Sequence, residues 1–366
     1  VLQGSPRGAA GVTELILDPF VAGLKSAKVA VEVVYLRDVE ISPCQGCFDC
    51  WTKTPGLCRH KDGAVELIER LTKTDLVVLA TPLILGGLPG LTRTFLDRCL
   101  PLWEPWLVAH PKGGTFRSPR QDRLLGRRAV LLTTSALPEK EAFQALVKEV
   151  EAVLRLGQEP LVGRLIRPAG DLLRLGPRLG PAYQAAMQAL YSAGAEVARL
   201  GRASPETEAK IRAPLFKNAA SFRMVTNLYW EVWQEYYAAK RAGVELPEFE
   251  PFIDQDVRLN LATSAMRYDL GRAKGWQGSC QFNVSGRQPG QWYLMVKDDA
   301  CGFHEGWTRQ PDLVLHLPSE TLVALLRGEL DPKEGLENNL FRVEGQTALL
   351  NNIKEAFGWG AGLKDV

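Results

Sequence analysis

Near-continuous apolar runs of strand length alternate with longer amphipathic stretches through the first two hundred residues, and this alternation restricts the fold more than any other feature. Strand-like segments fall at Val29–Leu36, Leu76–Ala80, Ala129–Thr133 and Leu161–Ile166, with helical patterns at Thr13–Gly23, Gly63–Leu71, Gly90–Cys99, Lys140–Leu156 and Ala182–Leu200. A run such as Leu76-Val77-Val78-Leu79-Ala80 has no polar face, so its strand must be covered on both sides. Such strands, each followed by a helix, predict βαβ units and a doubly wound parallel sheet in a three-layer α/β/α arrangement. Only Val1, Leu2 and Gln3 precede the first glycine-rich loop. A central strand normally has about five or six residues, so the first strand is expected to be clipped in the sequence as given.

The texture changes further on. Ser204 and Pro205 form a helix start, and Asn218–Arg241 reads as a helix carrying Phe222, Tyr229, Trp230, Trp233, Tyr236 and Tyr237. Residues 243–256 hold two prolines and a run of acids and are the expected linker between a domain at 1–242 and another at 257–366. Beyond it Gln281–Val284, Gln291–Lys297 and Asp312–Leu317 alternate like strands. Ser319 is placed to cap a helix, Phe341–Val343 precedes a turn, and Thr347–Phe357 closes the pattern. Alternating strands grouped before helices predict an α+β domain with one exposed sheet face. At 366 residues, two domains are the natural expectation.

Composition excludes several classes. A net charge of +2 lacks the basic bias of a nucleic-acid-binding protein, despite the arginines at 117, 120, 123, 127 and 128. The longest apolar stretch, Leu76–Leu91, is broken by Pro82, Pro89 and three glycines, too short and interrupted for a transmembrane segment. No secretory signal opens the chain, so a cytoplasmic location is expected, with the seven cysteines reduced.

Two glycine-rich loops stand at strand ends. In Gly4-Ser5-Pro6-Arg7-Gly8-Ala9-Ala10-Gly11-Val12-Thr13 the backbone amides, the Ser5 and Thr13 hydroxyls and the Arg7 guanidinium could surround one phosphate. The loop matches neither the dinucleotide fingerprint nor the P-loop. The second, Thr81-Pro82-Leu83-Ile84-Leu85-Gly86-Gly87-Leu88-Pro89-Gly90, follows the strand at Leu76; Pro82 lacks an amide donor, and the ladder is expected to stop there. Together with Phe95-Leu96-Asp97-Arg98, these segments resemble the NAD(P)H-dependent FMN reductases of flavodoxin-like fold, over residues 1 to about 240.

The resemblance implies that Ser5, Arg7 and Thr13 hold the FMN phosphate and that Pro82, Leu83, Ile84, Leu85, Gly86 and Gly87 lie beside the isoalloxazine ring. Thr134 and Ser135, in Thr133-Thr134-Ser135, would touch the ring's other edge. Where Ile84 stands many relatives carry an aromatic residue. NAD(P)H is the implied co-substrate, and a flavin, a quinone or another small molecule the implied electron acceptor. Such enzymes commonly pair, so a homo-oligomer is implied, and the aromatic helix adds an independent hint. Flavin chemistry requires no side-chain acid or base, and none is assigned. His60, His110, His304 and His316 are scattered and read as structural or solvent-facing.

Cys44, Cys47, Cys50 and Cys58 follow the spacing C-x2-C-x2-C-x7-C, with Pro55-Gly56 able to turn the last one back. Four thiolates suit an iron–sulfur cluster or zinc. The resembled family includes iron–sulfur flavoproteins whose compact cysteine motif occupies this place, which implies a [4Fe–4S] cluster. Zinc and free or redox-reactive thiols stay open beside it. The lone Cys99, Cys280 and Cys301 read as small buried apolar residues.

From about Asp256 the chain resembles the sterol carrier protein 2 (SCP2) family. The matching pieces are Gln281-Phe282-Asn283-Val284, Gly290-Gln291-Trp292-Tyr293-Leu294, Leu325-Leu326-Arg327-Gly328-Glu329-Leu330-Asp331-Pro332 and Phe341-Arg342-Val343-Glu344-Gly345. That resemblance implies a five-stranded sheet under helices and an apolar ligand. Leu322, Val323, Leu325, Leu326, Leu349, Leu350 and Ile353 would line either a tunnel or a filled core. The leading expectation is an FMN-dependent oxidoreductase. The alternatives are an iron–sulfur flavoprotein in electron transfer or redox sensing, and a lipid-binding protein with a flavodoxin-like scaffold.

Overall fold

Leu76–Pro82 (β3), Arg128–Thr134 (β6) and Leu161–Arg167 (β7) form the parallel strands that their apolar runs predict, joined by Leu2–Gln3 (β1) and Val34–Tyr35 (β2) in the order β2-β1-β3-β6-β7. The computed structural model describes residues 1–109, 115–120, 126–269, 271–273, 275–298, 300–357 and 359. The chain divides into two compact units, Val1–Arg174 with Ala185–Pro214, and Leu175–Gln184 with Leu215–Val366. The helix Ala219–Arg241 (α8) therefore lies in the second unit, and the segment 243–256 itself contains a helix, Phe249–Asp254 (α9).

In the first unit Val12–Ser26 (α1), Asp49–Thr52 (α2), Gly63–Leu71 (α3), Gly90–Arg98 (α4), Gln144–Leu156 (α5) and Pro205–Arg212 (α7) are joined by Pro181–Leu200 (α6), whose larger part belongs here. Leu67 and Leu71 of α3, Phe95 of α4 and Leu146 and Val150 of α5 share one core cluster with Leu79 and Leu131 of the sheet. Each such aliphatic side chain contributes about 1.5–3 kcal/mol on burial. The helices α1 and α6 meet at glycines: a Cβ on Gly23 would stand 2.0 Å from the Tyr191 carbonyl oxygen, and one on Gly194 2.1 Å from that of Phe20.

Three sequence expectations change. Val29–Leu36 pairs only at Val34 and Tyr35, because their partners Leu2 and Gln3 are the whole of β1. A hairpin of Trp103–Ala109 (β4) and Thr115–Pro119 (β5), unforeseen, stands between α4 and β6. Its link, the stretch around His110, lies outside the described residues. Ser319 lies inside its helix, with Pro318 as the cap residue, and its hydroxyl accepts from the Arg287 amide at 3.1 Å instead.

The second unit holds a mixed sheet of Gly278–Ser285 (β8), Gly290–Lys297 (β9), Ala300–Glu305 (β10), Leu313–Pro318 (β11) and Arg342–Gly345 (β12), in the order β10-β9-β8-β11-β12. Only β8 and β11 run parallel. Val257–Arg267 (α10), Ser319–Arg327 (α11), Pro332–Glu337 (α12) and Leu349–Phe357 (α13) complete it. Leu322, Val323, Leu325, Leu326, Leu350 and Ile353 are buried in one cluster with Phe282, Leu294 and Leu315 of the sheet. On α8, Tyr229 and Tyr236 are buried, with their rings 6.3 and 5.2 Å from that of Phe249. Trp230 and Tyr237 on the same helix are exposed.

Alanine at a mid-helix glycine normally stabilises by about 1 kcal/mol. At Gly194 the added carbon meets backbone that cannot rotate away. Overpacking should win, so Gly194→Ala is expected to lose about 1–3 kcal/mol in urea unfolding. An unchanged or raised midpoint would mean that α1 and α6 separate without cost.

Candidate functional site

In a parallel sheet every strand ends at the same edge, and here the order reverses between β1 and β3. Chains leaving β1 and β3 diverge there and open a crevice, the usual ligand position in such sheets. The first loop leaves β1 at Gly4, whose amide still donates to the Ala80 oxygen at 2.7 Å. No side chain larger than glycine fits Gly4, since a Cβ would sit 2.0 Å from Thr92 Oγ1.

Gln3, fully buried, braces the loop from inside. Its Nε2 donates to Gly8 O at 2.9 Å and to Glu14 Oε2 at 3.1 Å, while its Oε1 accepts from the Ser5 amide at 2.8 Å. Sequence reading missed Gln3. Its only signal was a polar residue in a strand otherwise covered on both faces. Ser5 in the loop and Thr13 in the first turn of α1 are buried, Arg7 is exposed, and Ser5 Oγ accepts the Arg7 amide at 3.2 Å. Gly8 takes φ +58°, which lets the chain turn between Arg7 and α1. Arg174, which follows β7, donates from Nη2 to Ala10 O at 2.6 Å and adds a second arginine to this loop.

The second loop departs from expectation at Pro82. The ladder runs through it: Pro82 pairs with Thr134, and the Leu83 amide donates to Thr134 O at 2.8 Å. Successive amides of a strand point to opposite neighbours, so the donor that proline lacks falls on the β1 side, beyond the end of β1. Next, Ile84 and Gly87 exchange backbone hydrogen bonds of 3.1 Å around Leu85 and Gly86, both at positive φ. This is a two-residue turn of the I′ kind, in which Leu85 occupies a conformation that glycine or asparagine favours. Leu85 is fully exposed and Ile84 less than half so.

The third loop follows β6. Thr133 is fully buried with a hydroxyl that has no partner. Thr134 Oγ1 is committed to Arg167 O at 2.9 Å, and Ser135 Oγ accepts the Leu137 amide at 3.1 Å. Ser5, Thr13, Pro82–Gly87 and Ser135 thus gather at one edge, while the Thr134 hydroxyl turns to β7. A braced glycine loop with two arginines at the start of a helix fits a phosphate-bearing group.

The four cysteines lie on the connection from β2 to α3. That connection is closed at its base. Asp62 caps α3 through the Ala64 amide at 3.2 Å and accepts the Ser42 amide at 2.8 Å. Arg98 of α4, with its side chain fully buried, donates to Asp62 at 2.7 and 2.9 Å and to Ser42 O at 2.7 Å. These bonds from Arg98 hold the Asp62 carboxyl well below the ordinary range. Arg120 reaches the Cys50 carbonyl at 3.4 Å, and Arg117 lies 4.7 Å over the Trp51 ring, which ties the loop to the β4–β5 hairpin.

Cys44, Cys47, Cys50 and Cys58 line one cavity together with His60, Asp97 and Arg98. Its volume is about 20 Å³, room for one water, and of the four cysteines on it Cys47 is exposed. Burial pushes the Cys50 thiol up, and the neighbouring Cys58, Cys44 and Cys47 add to it. Among the described residues no three His, Cys, Asp or Glu side chains close on a point that would hold a metal ion. The sulfurs are gathered but not closed. Two of the lining residues carry a buried nitrogen without a hydrogen-bond partner, Arg98 Nε and His60 Nε2.

Residues 1–145 match the family model of NADPH-dependent FMN reductase, and residues 259–358 match that of the SCP-2 sterol transfer family. The chain joins an N-terminal domain of the FMN-reductase and iron–sulfur-flavoprotein family to a C-terminal SCP2-like domain. Among curated proteins it is similar to an iron–sulfur flavoprotein of Archaeoglobus fulgidus, 35% identical over 98 residues, covering 27% of this chain and 48% of that one. An iron–sulfur flavoprotein of Methanocaldococcus jannaschii is 28% identical over 113 residues, covering 31% and 57%. The chain spans about half the length of the curated relatives it matches. Among solved structures it is similar to the FMN-dependent NADH-azoreductase of Bacillus anthracis in complex with FMN. That match has 13% identity, covers 54% of this chain and 97% of that one, and has a TM-score of 0.40.

Asp62 generates a pH prediction. Its folded pKa is depressed, so its contribution is present above about pH 4, the unfolded carboxylate range, and is lost as pH falls further. Asp62→Asn leaves the buried Arg98 charge unpaired and is expected to cost about 3–5 kcal/mol at neutral pH. The deficit should shrink below pH 4 in urea titrations. A deficit independent of pH would place the effect elsewhere.

Proposed function

We propose that the N-terminal unit binds FMN across the three loops at the β1/β3 edge and passes electrons from NAD(P)H to a small acceptor. The observation that carries this reading is the first loop: rich in glycine, bearing Arg7, braced by Gln3 and set at the reversal of strand order. Ser5, Arg7 and Thr13, with amides at the start of α1, would hold the phosphate, aided by the positive end of the helix dipole. Pro82, Leu83, Ile84, Leu85, Gly86 and Gly87 would border one side of the ring, with Ile84 and Leu85 offering apolar surface. The backbone of Thr134 and Ser135 would meet the other edge.

Bound flavin supplies the hydride and single-electron chemistry. The chain's own residues orient it and restrict water. The acceptor in this reading is a flavin, a quinone or another small molecule. A lipophilic one is favoured if the C-terminal domain carries an apolar ligand, as the SCP-2 match suggests. A homo-oligomer belongs to the same reading, with Trp230 and Tyr237 of α8 as exposed aromatic surface.

A second reading, an iron–sulfur flavoprotein that transfers electrons, is favoured by the cysteine cavity. Four cysteines on one cavity offer the one thiolate per iron that an iron–sulfur centre takes. Cys44, Cys47, Cys50 and Cys58 would hold that [4Fe–4S] cluster. Iron and sulfide analysis after anaerobic purification separates this reading from free thiols.

The visible spectrum after incubation with FMN and gel filtration tests the leading reading; flavin bands should co-elute with the protein, and their absence overturns it. Arg7→Ala should then weaken FMN binding by about 10–100-fold, the worth of a charged hydrogen bond. Riboflavin, without the phosphate, should bind the variant and wild type alike in fluorescence titration. An equal loss for both ligands would remove Arg7 from the phosphate site.

A further inference from the structure

Arg98 has only 1% of its surface exposed, and its terminal nitrogens are fully engaged with Asp62 and the Ser42 carbonyl. Its Nε is different. It is buried without a hydrogen-bond partner, in a residue that lines the cavity together with the four cysteines. His60, which lines the same cavity, contributes a second nitrogen, Nε2, buried and without a hydrogen-bond partner. A buried polar group without a partner costs about 1–3 kcal/mol, so two on one small cavity point to an acceptor that belongs there. The Cys58 thiol lies beside the Arg98 guanidinium, and both residues line this cavity with Cys44, Cys47 and Cys50.

We propose that Arg98 and His60 are positioning residues of the four-cysteine site, donating N–H hydrogen bonds to the sulfurs of an iron–sulfur centre held there and raising its reduction potential. The inference rests on the second reading above. One-electron reduction adds a negative charge to such a centre, and hydrogen bonds to its sulfurs stabilise the reduced form more than the oxidised one. Arg98 suits the task because a guanidinium stays charged and its orientation is locked by two partners. Asp62 pairs with the terminal nitrogens of Arg98 at 2.7 and 2.9 Å, which leaves Nε as the free donor of the guanidinium. Asp97 also reaches the cavity, but its carboxylate is paired with Arg93 at 2.9 Å.

The test uses the full chain, reconstituted anaerobically with iron and sulfide. Wild type, His60→Leu, Arg98→Lys and Arg98→Gln are assayed for metal content and titrated with dithionite while the spectrum is followed. Wild type should hold about four irons per chain. His60→Leu and Arg98→Gln should keep the iron yet shift the reduction equilibrium at least tenfold toward the oxidised form, about 59 mV for one electron. Arg98→Lys, which retains the charge, should shift less. His60→Leu leaves the Asp62 bonds intact, so it carries the test if Arg98→Gln does not fold. Iron-loaded His60→Leu and Arg98→Lys with wild-type potentials would overturn the inference and leave only a water bridging the two nitrogens. A wild type that takes up no iron would overturn the second reading itself, and the inference with it.

Discussion

The reversal of strand order between β1 and β3 is the constraint on which the N-terminal unit depends. A parallel sheet has no hairpins, so each strand must be followed by a crossover, and every loop that leaves a strand's carboxyl end emerges at one edge. Because β2 and β3 flank β1 on opposite sides, successive crossovers cover opposite faces and separate at that point. Glycines at 4 and 8 permit the close approach and tight turn needed there, and Gln3 converts a two-residue strand into the anchor of the whole loop.

The same unit organises a second set of reactive side chains without regular structure. The stretch from Ser42 to Asp62 contains only a four-residue helix, α2, yet it has a fixed base. One buried arginine on α4 and one aspartate at the start of α3 join its ends, so the cysteines are presented by a closed loop. A buried ion pair of this kind contributes little net stability against an apolar substitute, but removing one partner is costly. Its value is positional. It places a cation at the floor of a sulfur-lined cavity and ties that cavity to the helix following the second loop.

The C-terminal unit follows a different physical rule. Strand β9 alternates, whereas β8 and β11 are buried at successive residues, and the sheet shares its core with helices drawn from both before and after it. The aromatic residues of α8 divide in the same way. Tyr229 and Tyr236 pack on Phe249, from the very segment whose prolines and acids suggested a linker. Composition identified a region poor in regular pattern; it could not reveal that two phenylalanines within it, Phe249 and Phe252, complete an aromatic cluster.

What the sequence alone determined was periodicity: runs buried on both faces at Leu76 and Ala129, helices such as Gly63–Leu71, and glycine loops between them. Those signals are local, because side-chain spacing and backbone preference act within a few residues. The β4–β5 hairpin escaped because its exposed Trp106, Leu107 and Val108 show no alternation. Tertiary structure alone decided which distant groups meet: Gln3 with Gly8 and Glu14, Arg174 with Ala10, Pro82 aligned so that its missing donor does no harm, and Arg98 with His60 beside four thiols. Those meetings depend on strand order and helix packing, which no local pattern encodes.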